Sequence, residues 1–310
     1  MDKRIHIKKF ISNIITQTYF KTIYMNLRSK LSLGEWNIGL VPVHAGSIDF
    51  SSVRWIKHRY RNSCFADPFI YRVGENTIEL FVEQIFFWHK NARLAKLTVD
   101  RQSGLLLQCT PILQLDTHLS YPFIIRRNGK IYVMPENVAS GRLDLYEYDE
   151  RSEKLRYLHP VIHMPLADAT IVEWNNSYYL FATKKGTDNS DLYIWVSEEI
   201  FTGYRPICGK PVKSDLTGSR MAGAFWRHKG RLFRPAQDCN GGYGKGILVY
   251  EITDLSVHGY KEQLIECFYP SDPYYNAGIH TLNYHQDIGV IDGYRVRVNP
   301  LMKLARKINR

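Results

Sequence analysis

One phrase returns five times along this sequence: a short apolar stretch, a turn with Gly or Asn, and a second apolar stretch. The copies begin at Phe69, Phe123, Thr170, Ala224 and His280, so successive starts are 54, 47, 54 and 56 residues apart. A β-rich repeat near fifty residues is typical of a propeller, in which each repeat forms one blade. The repeats therefore predict first strands that converge on one central axis.

The strand pattern predicts four strands in each blade. In the first repeat, apolar alternation continues the first strand with three more, at 78–82, 92–99 and 105–108. The fifth repeat has only two clear strands, 281–284 and 288–292. Because an unclosed blade leaves exposed edges, we expect residues 36–43 to pair into it. The sequence thus predicts an all-β, five-bladed β-propeller with four-stranded blades, closed by an N-terminal strand.

Positive charge is concentrated at the two ends. The formal net charge is +11, of which residues 1–30 contribute +6 and residues 295–310 contribute +6, leaving −1 for the rest. Apolar residues at three- and four-residue spacing predict a basic amphipathic helical segment over 1–33 and a basic helix over 299–310, flanking a propeller over 34–298. These helices suit either an anionic membrane surface or packing on the propeller with a solvated basic edge.

Targeting and cysteine patterns bear on the compartment. The longest uncharged run of the first tail, residues 10–20, is too short and polar to span a bilayer and lacks the features of a secretory signal. Five scattered cysteines fit free thiols in a reducing compartment. We therefore expect a cytoplasmic protein, peripheral at the inner membrane face through residues 1–30 and 299–310. Nucleic-acid binding by the tails is the weaker alternative, and no nucleic acid is expected.

Polar residues recur where the propeller would open onto its axis. In an antiparallel blade, the start of strand one and the end of strand two lie at the same face. Strand-one starts supply Asp67, Tyr121, Asp168, Arg220 and His280, and strand-two ends supply Glu83, Glu136, Asp238 and Asp292. Two such carboxylates can divide the work of glycoside cleavage, one as the acid and one as the base or nucleophile. The alternative for any single Asp is a local turn cap.

Two short motifs carry a family resemblance. Residues 66–70, Ala-Asp-Pro-Phe-Ile, and residues 168–171, Asp-Ala-Thr-Ile, resemble the first- and third-blade motifs of the five-bladed glycoside hydrolases of the arabinanase, xylosidase and invertase superfamily. The resemblance implies that Asp67 is the base or nucleophile and that Asp168 orients the sugar and tunes the acid. Those enzymes carry the acid, a Glu, in a later blade, but here Arg220 stands in that neighbourhood. Either Glu136 or Asp238 would then serve as the acid, or the reaction differs from that of those enzymes.

A broader likeness rests on residues 121–123, 134–137, 233–238, 242–244 and 280–283. They resemble the N-terminal domain of plant glucosamine inositolphosphorylceramide transferases and bacterial relatives in surface-polysaccharide clusters. Arg220 and Arg234 would suit a phosphate or carboxylate on the substrate, unless they pair with nearby carboxylates. The prediction is a carbohydrate-active enzyme that cleaves or forms a glycosidic bond on a glycan or sugar phosphate. The alternative is a non-catalytic glycan-binding propeller that docks polysaccharide-assembly enzymes.

The remaining motifs concern ligands. The Gly-rich stretch 241–246 lacks the spacing of a nucleotide P-loop, and Tyr243 within it is expected to bind substrate from a rim loop. No clustered His and Cys spacing indicates a metal, although His280 with Asp67 could hold one ion at the axis. We therefore predict catalytic roles for Asp67, Asp168 and Glu136, and no metal or cofactor.

Overall fold

The computed structural model describes residues 32–44 and 47–298. Almost all of the described structure is antiparallel strand, with single 3-10 turns at Phe50–Ser52 and Val138–Ser140. In chain order the strands are β1 (Ser32–His44), β2 (Ser47–Ile48), β3 (Arg54–Trp55), β4 (Ser63–Val73), β5 (Thr77–Phe86), β6 (Arg93–Asp100), β7 (Leu106–Leu113), β8 (Ser120–Arg127), β9 (Lys130–Glu136), β10 (Leu143–Asp149), β11 (Lys154–Ile162), β12 (Leu166–Trp174), β13 (Ser177–Lys184), β14 (Asp191–Ser197), β15 (Arg205–Pro206), β16 (Lys213–Ser214), β17 (Thr217–Met221), β18 (Trp226–His228), β19 (Arg231–Asp238), β20 (Gly246–Ser256), β21 (Gly259–Phe268), β22 (Leu282–His285) and β23 (Ile288–Val298).

The strands form five antiparallel sheets, which are the predicted blades. Blade I is β4–β7, blade II is β8–β11, blade III is β12–β16 and blade IV is β17–β21. Where a sheet has a fifth strand, two short pieces share one of the four positions: β15 and β16 both pair with β14, and β17 and β18 both pair with β19. The prediction of five blades with four strand positions in each is confirmed.

Ring closure also follows the prediction. Blade V places β1 beside β23, in the order β2-β1-β23-β22, so the N-terminal strand enters the last blade. Strand β3 pairs with β1 through Gly39 and Trp55. A Cβ at Gly39 would come within 2.6 Å of Val53, which explains why only glycine fits that crossing. Closure by β1 removes the edge that the two-stranded fifth repeat would otherwise expose.

The core lies in the spaces between neighbouring blades, where large apolar side chains interdigitate. Between blades I and II, the ring of Phe81 stacks on Tyr71 at 4.8 Å and packs edge-on to Tyr148 of β10 at 4.9 Å. All three residues are buried. Burial of aromatic rings contributes roughly 25 cal/mol per Å² of apolar surface. Apolar packing between neighbouring blades therefore contributes to the frame that positions the axis.

The chain divides into two compact units. One is Trp36–Arg295, the propeller, and the other contains both chain ends, of which 32–35 and 296–298 are described. Within the latter, Glu35 and Arg297 form an exposed ion pair at 3.4 Å. The predicted helices over 1–33 and 299–310 lie outside the described residues, except that Ser32 and Leu33 are strand. Within the described ranges, no helix has the length and apolarity needed to cross a membrane.

Candidate functional site

The first strands of three blades share a strained bulge at the axis. In β4, Ala66 pairs with Glu83 and Phe69 with Phe81, so three steps on one strand match two on its partner. The same extra residue occurs in β8 and β12. The bulged residues Asp67, Tyr121 and Asp168 have φ of 50°, 43° and 48°. Left-handed backbone at a non-glycine residue costs about 1–3 kcal/mol and is concentrated at functional sites.

The bulges turn backbone N–H groups towards carboxylates of the preceding blade. Asp67 N–H donates to Oδ2 of Asp292 at 3.1 Å, and Tyr121 N–H donates to Oδ2 of Asp67 at 2.9 Å. Asp168 N–H donates to Oε2 of Glu136 at 3.0 Å. A chain of carboxylate-to-backbone bonds thus links blade V to I, I to II and II to III. The predicted turn-cap role of Asp67 is replaced by a bond between blades.

One cluster at the axis combines two carboxylates and an imidazole. His280 Nε2 lies 3.3 Å from Oδ1 of Asp67, and its Nδ1 lies 2.7 Å from Oδ2 of Asp292, as an ion pair rather than an aligned hydrogen bond. Thr281 Oγ1 donates to Oδ1 of Asp67 at 2.8 Å. All four residues are buried. The sequence had paired Asp67 with His280, and the structure adds Asp292 and Thr281.

Burial and neighbouring charges shift the pKa values of Asp67 and His280 in this first cluster. Burial raises the pKa of Asp67 to about 7, with the neighbouring carboxylates adding to the rise and His280 opposing it. Burial alone would lower the pKa of His280, but the charges of Asp292 and Asp67 raise it to about 9. His280 is therefore an imidazolium at neutral pH, held between two acids.

The same atoms are the candidate metal ligands. One ligand atom each from Asp67, His280 and Asp292 lies within 4.8 Å of the others. However, Asp292 Oδ1 already accepts from the N–H groups of His280 and Thr281, at 2.9 and 3.0 Å. The imidazolium supplies the positive charge that a cation would bring, so a metal here would first have to displace that proton.

A second cluster gathers an acid pair around a guanidinium. Arg220 Nε donates to Oδ2 of Asp168 at 2.6 Å, and Nη2 of Arg220 lies 3.4 Å from Oε2 of Glu136. Gln237 Nε2 also donates to Oδ2 of Asp168, at 2.9 Å. Burial raises the pKa of Glu136 to about 8, helped by the negative charge of Asp168 and opposed by Arg220. At neutral pH Glu136 is therefore protonated beside an ion-paired carboxylate.

Two tyrosines frame the clusters. Tyr121 is fully buried at the axis, and its hydroxyl shares a 2.8 Å hydrogen bond with Thr170. Tyr243 is half exposed: its ring lies 5.0 Å from the Arg220 guanidinium carbon and meets the His280 ring edge-on at 5.2 Å. Tyr243 therefore contacts both clusters and is about half exposed, as an aromatic platform for a sugar would be.

Two predicted binding residues lie apart from these clusters. Arg234 is fully buried inside blade IV and pairs with Glu262 at 2.7 Å, so it does not reach the axis. Asp238 accepts from Tyr269 and pairs with Lys245, both at 3.1 Å. Because side chains alternate along a strand, Gln237 faces the axis and its neighbour Asp238 faces away.

Glu83 is buried at the end of β5 and leads to a residue that the sequence analysis missed. Its Oε1 lies 2.8 Å from Nε2 of His118, whose side chain is half exposed in the loop before β8. The Glu83 carboxylate raises the pKa of His118. A titratable residue three positions before the predicted strand-one start at Tyr121 was the available signal. His118 places an exposed imidazole beside the buried acids.

Comparison with known proteins places this geometry in a family. Residues 41–293 match the family described as "Glucosamine inositolphosphorylceramide transferase 1, N-terminal". The chain is 31% identical over 209 residues to glucosamine inositolphosphorylceramide transferase 1 of Oryza sativa subsp. japonica, covering 66% of this chain and 28% of the relative. The Arabidopsis thaliana protein of the same name is also 31% identical over 209 residues, covering 64% and 26%. The match thus spans about a quarter of each relative's length.

Solved structures share the fold. The RS223 beta-xylosidase superposes with a TM-score of 0.52 at 12% identity, covering 76% of this chain and 92% of that one. A family 117 glycoside hydrolase from Zobellia galactanivorans gives 0.52 at 8% identity, covering 87% and 92%. At these identities the likeness establishes the five-bladed architecture alone.

Proposed function

Since the chain belongs to the family of the N-terminal domain of glucosamine inositolphosphorylceramide transferase 1, we propose that it is a carbohydrate-active module that makes or breaks a glycosidic bond at its axis. The relatives are named for an aminosugar and an inositol phosphoryl lipid. The proposed ligand is accordingly a glycan or sugar phosphate. Because the chain spans about a quarter of those relatives, the proposal concerns the propeller alone.

The observation that carries the proposal is the division of protonation between two axial acids. Glu136, with a pKa raised to about 8, keeps a proton at neutral pH and sits against the Arg220-paired carboxylate of Asp168. Asp67, with a pKa raised to about 7, is partly ionised at the same pH. Two carboxyl groups at one axis with pKa values raised towards neutrality can supply the acid and the base that glycosidic chemistry needs.

In the proposed mechanism each residue has one role. Glu136 donates its proton to the oxygen of the leaving group, which is the role that the resembled hydrolases give to a later-blade Glu. Asp67 either attacks the sugar carbon as the nucleophile or, as the base, takes the proton of the water or acceptor hydroxyl that attacks this carbon. His280, whose Nε2 lies 3.3 Å from Asp67 Oδ1, stabilises the charge of Asp67. Asp168, fixed by Arg220 and Gln237, orients the sugar. The half-exposed ring of Tyr243 stacks on the sugar ring.

Turnover and binding are tested separately with Glu136→Gln and Asp67→Asn, and Glu198→Gln as an exposed control. The substrates are glycosides and sugar phosphates, and each class is tested with one good and one poor leaving group. We expect both axial variants to bind as the wild type does and to lose about 10²–10⁴-fold in rate. Glu136→Gln should lose least with an aryl leaving group, which departs without a proton. Full turnover in both variants contradicts the proposal.

A second candidate function, a non-catalytic glycan-binding propeller, is favoured by the bonds between blades. Asp292, Asp67 and Glu136 each accept a backbone N–H of the next blade, which is a structural use of the same carboxylates. For such a module we expect no turnover by the wild type, loss of glycan binding in Tyr243→Ala, and a lower unfolding midpoint in Asp67→Asn. Measured turnover that Glu136→Gln abolishes excludes it.

A further inference from the structure

The two arginines that the sequence offers for an anionic substrate group are already neutralised inside the protein. Arg220 is buried and pairs with Asp168 and Glu136. Arg234 is buried and pairs with Glu262. A third acid, Asp188, lies 3.5 Å from Arg220 on its outer side. An anion binding to either arginine would displace a buried carboxylate, which is costly. Cations for a substrate phosphate must therefore lie elsewhere.

The rim of blade I carries such cations around a cavity. This blade I rim pocket, about 380 Å³ in volume, lies between the β5–β6 and β7–β8 connections. It is lined by Phe86, His89, Lys90, Asn91, Ala92, Arg93, Gln114, Leu115 and Asp116. Its volume is sufficient for a phosphoryl group with an attached ring.

Within the part of the chain that the structure describes, Lys90 and Arg93 of this pocket form no ion pair. Arg93 donates only to neutral amides, Gln84 at 2.9 Å and Gln114 at 3.3 Å, and its guanidinium lies 4.9 Å from the Phe86 ring. Lys90 is exposed and has no carboxylate within ion-pair distance among the described residues. A guanidinium fixed by amides and stacked on a ring is pre-organised for a phosphate.

The neighbouring segment adds to this positive field. Phe87 N–H donates to the carbonyl of Asn62 at 2.9 Å, which joins the pocket to residues 57–62. Together, residues 57–62 and 86–93 contain five Lys or Arg and no Asp or Glu. Asp116 is the single acid in the pocket lining. The rim therefore attracts anions, although the propeller region as a whole is close to neutral.

The pocket is connected to the axis through one side chain. Ala92 N–H donates to Nδ1 of His118 at 3.3 Å, and Nε2 of His118 lies 2.8 Å from Oε1 of Glu83. Glu83 is paired in the β4–β5 ladder with Ala66, next to Asp67. Contacts through His118 and Glu83 thus join the lining of the pocket to the axial acids.

We propose that the blade I rim pocket binds the phosphoryl group of a phosphorylated sugar or polyol whose ring reaches the axis. The inference rests on the proposed function, since it names the substrate class for the same site. The phosphoryl group could belong to a soluble sugar phosphate or to a lipid headgroup. Both present the same oxygens to Arg93 and Lys90.

The test compares binding of glucose 1-phosphate and myo-inositol 1-phosphate with that of glucose and myo-inositol by titration calorimetry. Wild-type protein should bind the phosphorylated compounds at least about tenfold more tightly, with an advantage that shrinks as salt rises. Lys90→Ala and Arg93→Gln should each remove about tenfold of that advantage and leave the neutral compounds unaffected. Arg151→Gln, an exposed turn cation in blade II, is the control.

Lys90→Glu keeps the proposal falsifiable if Arg93→Gln disturbs folding, since Lys90 is exposed and its charge reversal should abolish the preference for phosphate. Equal affinity for phosphorylated and neutral compounds, or unchanged preference in the Lys90 variants, overturns the proposal. Vesicles with phosphatidylinositol are compared with vesicles holding the same share of phosphatidylserine, which presents the same net charge to the basic tails. A preference for phosphatidylinositol that Lys90→Glu removes identifies a headgroup, and binding to soluble ligand without that preference identifies a sugar phosphate. Glu136→Gln should retain phosphate binding, which separates this outcome from failure of the catalytic proposal.

Discussion

Replacement of Arg220 by Met tests whether the second axial cluster holds the propeller together. The Arg220 and Asp168 side chains are 9% and 4% exposed, so solvent screens their ion pair little. Met retains much of the aliphatic stem but removes every donor. Asp168 would keep the 2.9 Å bond from Gln237 as its remaining side-chain partner from blade IV. Loss of one partner of a buried ion pair typically costs about 3–5 kcal/mol.

The measurement is urea unfolding followed by tryptophan fluorescence, with Arg151→Met as the exposed control, which should change stability by less than about 0.5 kcal/mol. The double variant Arg220→Met with Asp168→Asn completes a mutant cycle, since the amide has no charge to leave unpaired. Asn also tolerates the left-handed backbone at position 168, where φ is 48°. We expect the double variant to recover at least about 1.5 kcal/mol relative to Arg220→Met.

Two results would refute this reasoning. A loss below about 1 kcal/mol in Arg220→Met would mean that the pair contributes no more than an exposed one. Strict additivity of the two substitutions would mean that Arg220 and Asp168 do not act together. Either result would leave the strained bulge at Asp168 without the electrostatic partner that we assign to it.

Three further outcomes are expected. Native Glu136 keeps its proton up to a pKa of about 8, against 4.5 unperturbed, so its contribution to stability is lost as pH rises through this range. Glu136→Gln should therefore flatten the fall in the free energy of unfolding, measured by urea titration between pH 5 and pH 8, by up to about 1.4 kcal/mol per pH unit. Parallel slopes would contradict the assignment. Tyr243→Ala should weaken glycan affinity by about tenfold, whereas Tyr274→Ala, a more exposed ring, should not. Deletion of residues 1–30 should abolish co-sedimentation with anionic vesicles; unchanged sedimentation would exclude the interfacial helix.

The repeat spacing was sufficient for the architecture because each copy had to supply the same strands, and the incomplete fifth copy required β1 to close the ring. The strand-one positions were also readable, and the structure brings Asp67, Asp168 and Arg220 to the axis. The direction of a side chain could not be predicted from the sequence where a β-bulge, or the alternation of side chains along a strand, decides it. The motif that contains Arg234 suggested a binding role, but the strand buries that guanidinium against Glu262 inside blade IV.

The axial acids differ in how far their oxygens are committed to holding the ring together. Asp292 accepts from Asp67, His280 and Thr281, so both its oxygens are used by backbone N–H groups. Both oxygens of Asp67 are likewise engaged, one by Thr281 and the other by Tyr121.

Glu136 is different, because its contacts with the Asp168 N–H and the Arg220 guanidinium fall on the same oxygen, Oε2. It is also less buried than Asp67 or Asp168, with a side chain 16% exposed. A carboxyl group that keeps its proton at neutral pH, with one oxygen outside these inter-blade bonds, can serve the fold and the chemistry at once. If the axis catalyses a reaction, Glu136 is therefore the residue whose isosteric replacement should separate stability from turnover most cleanly.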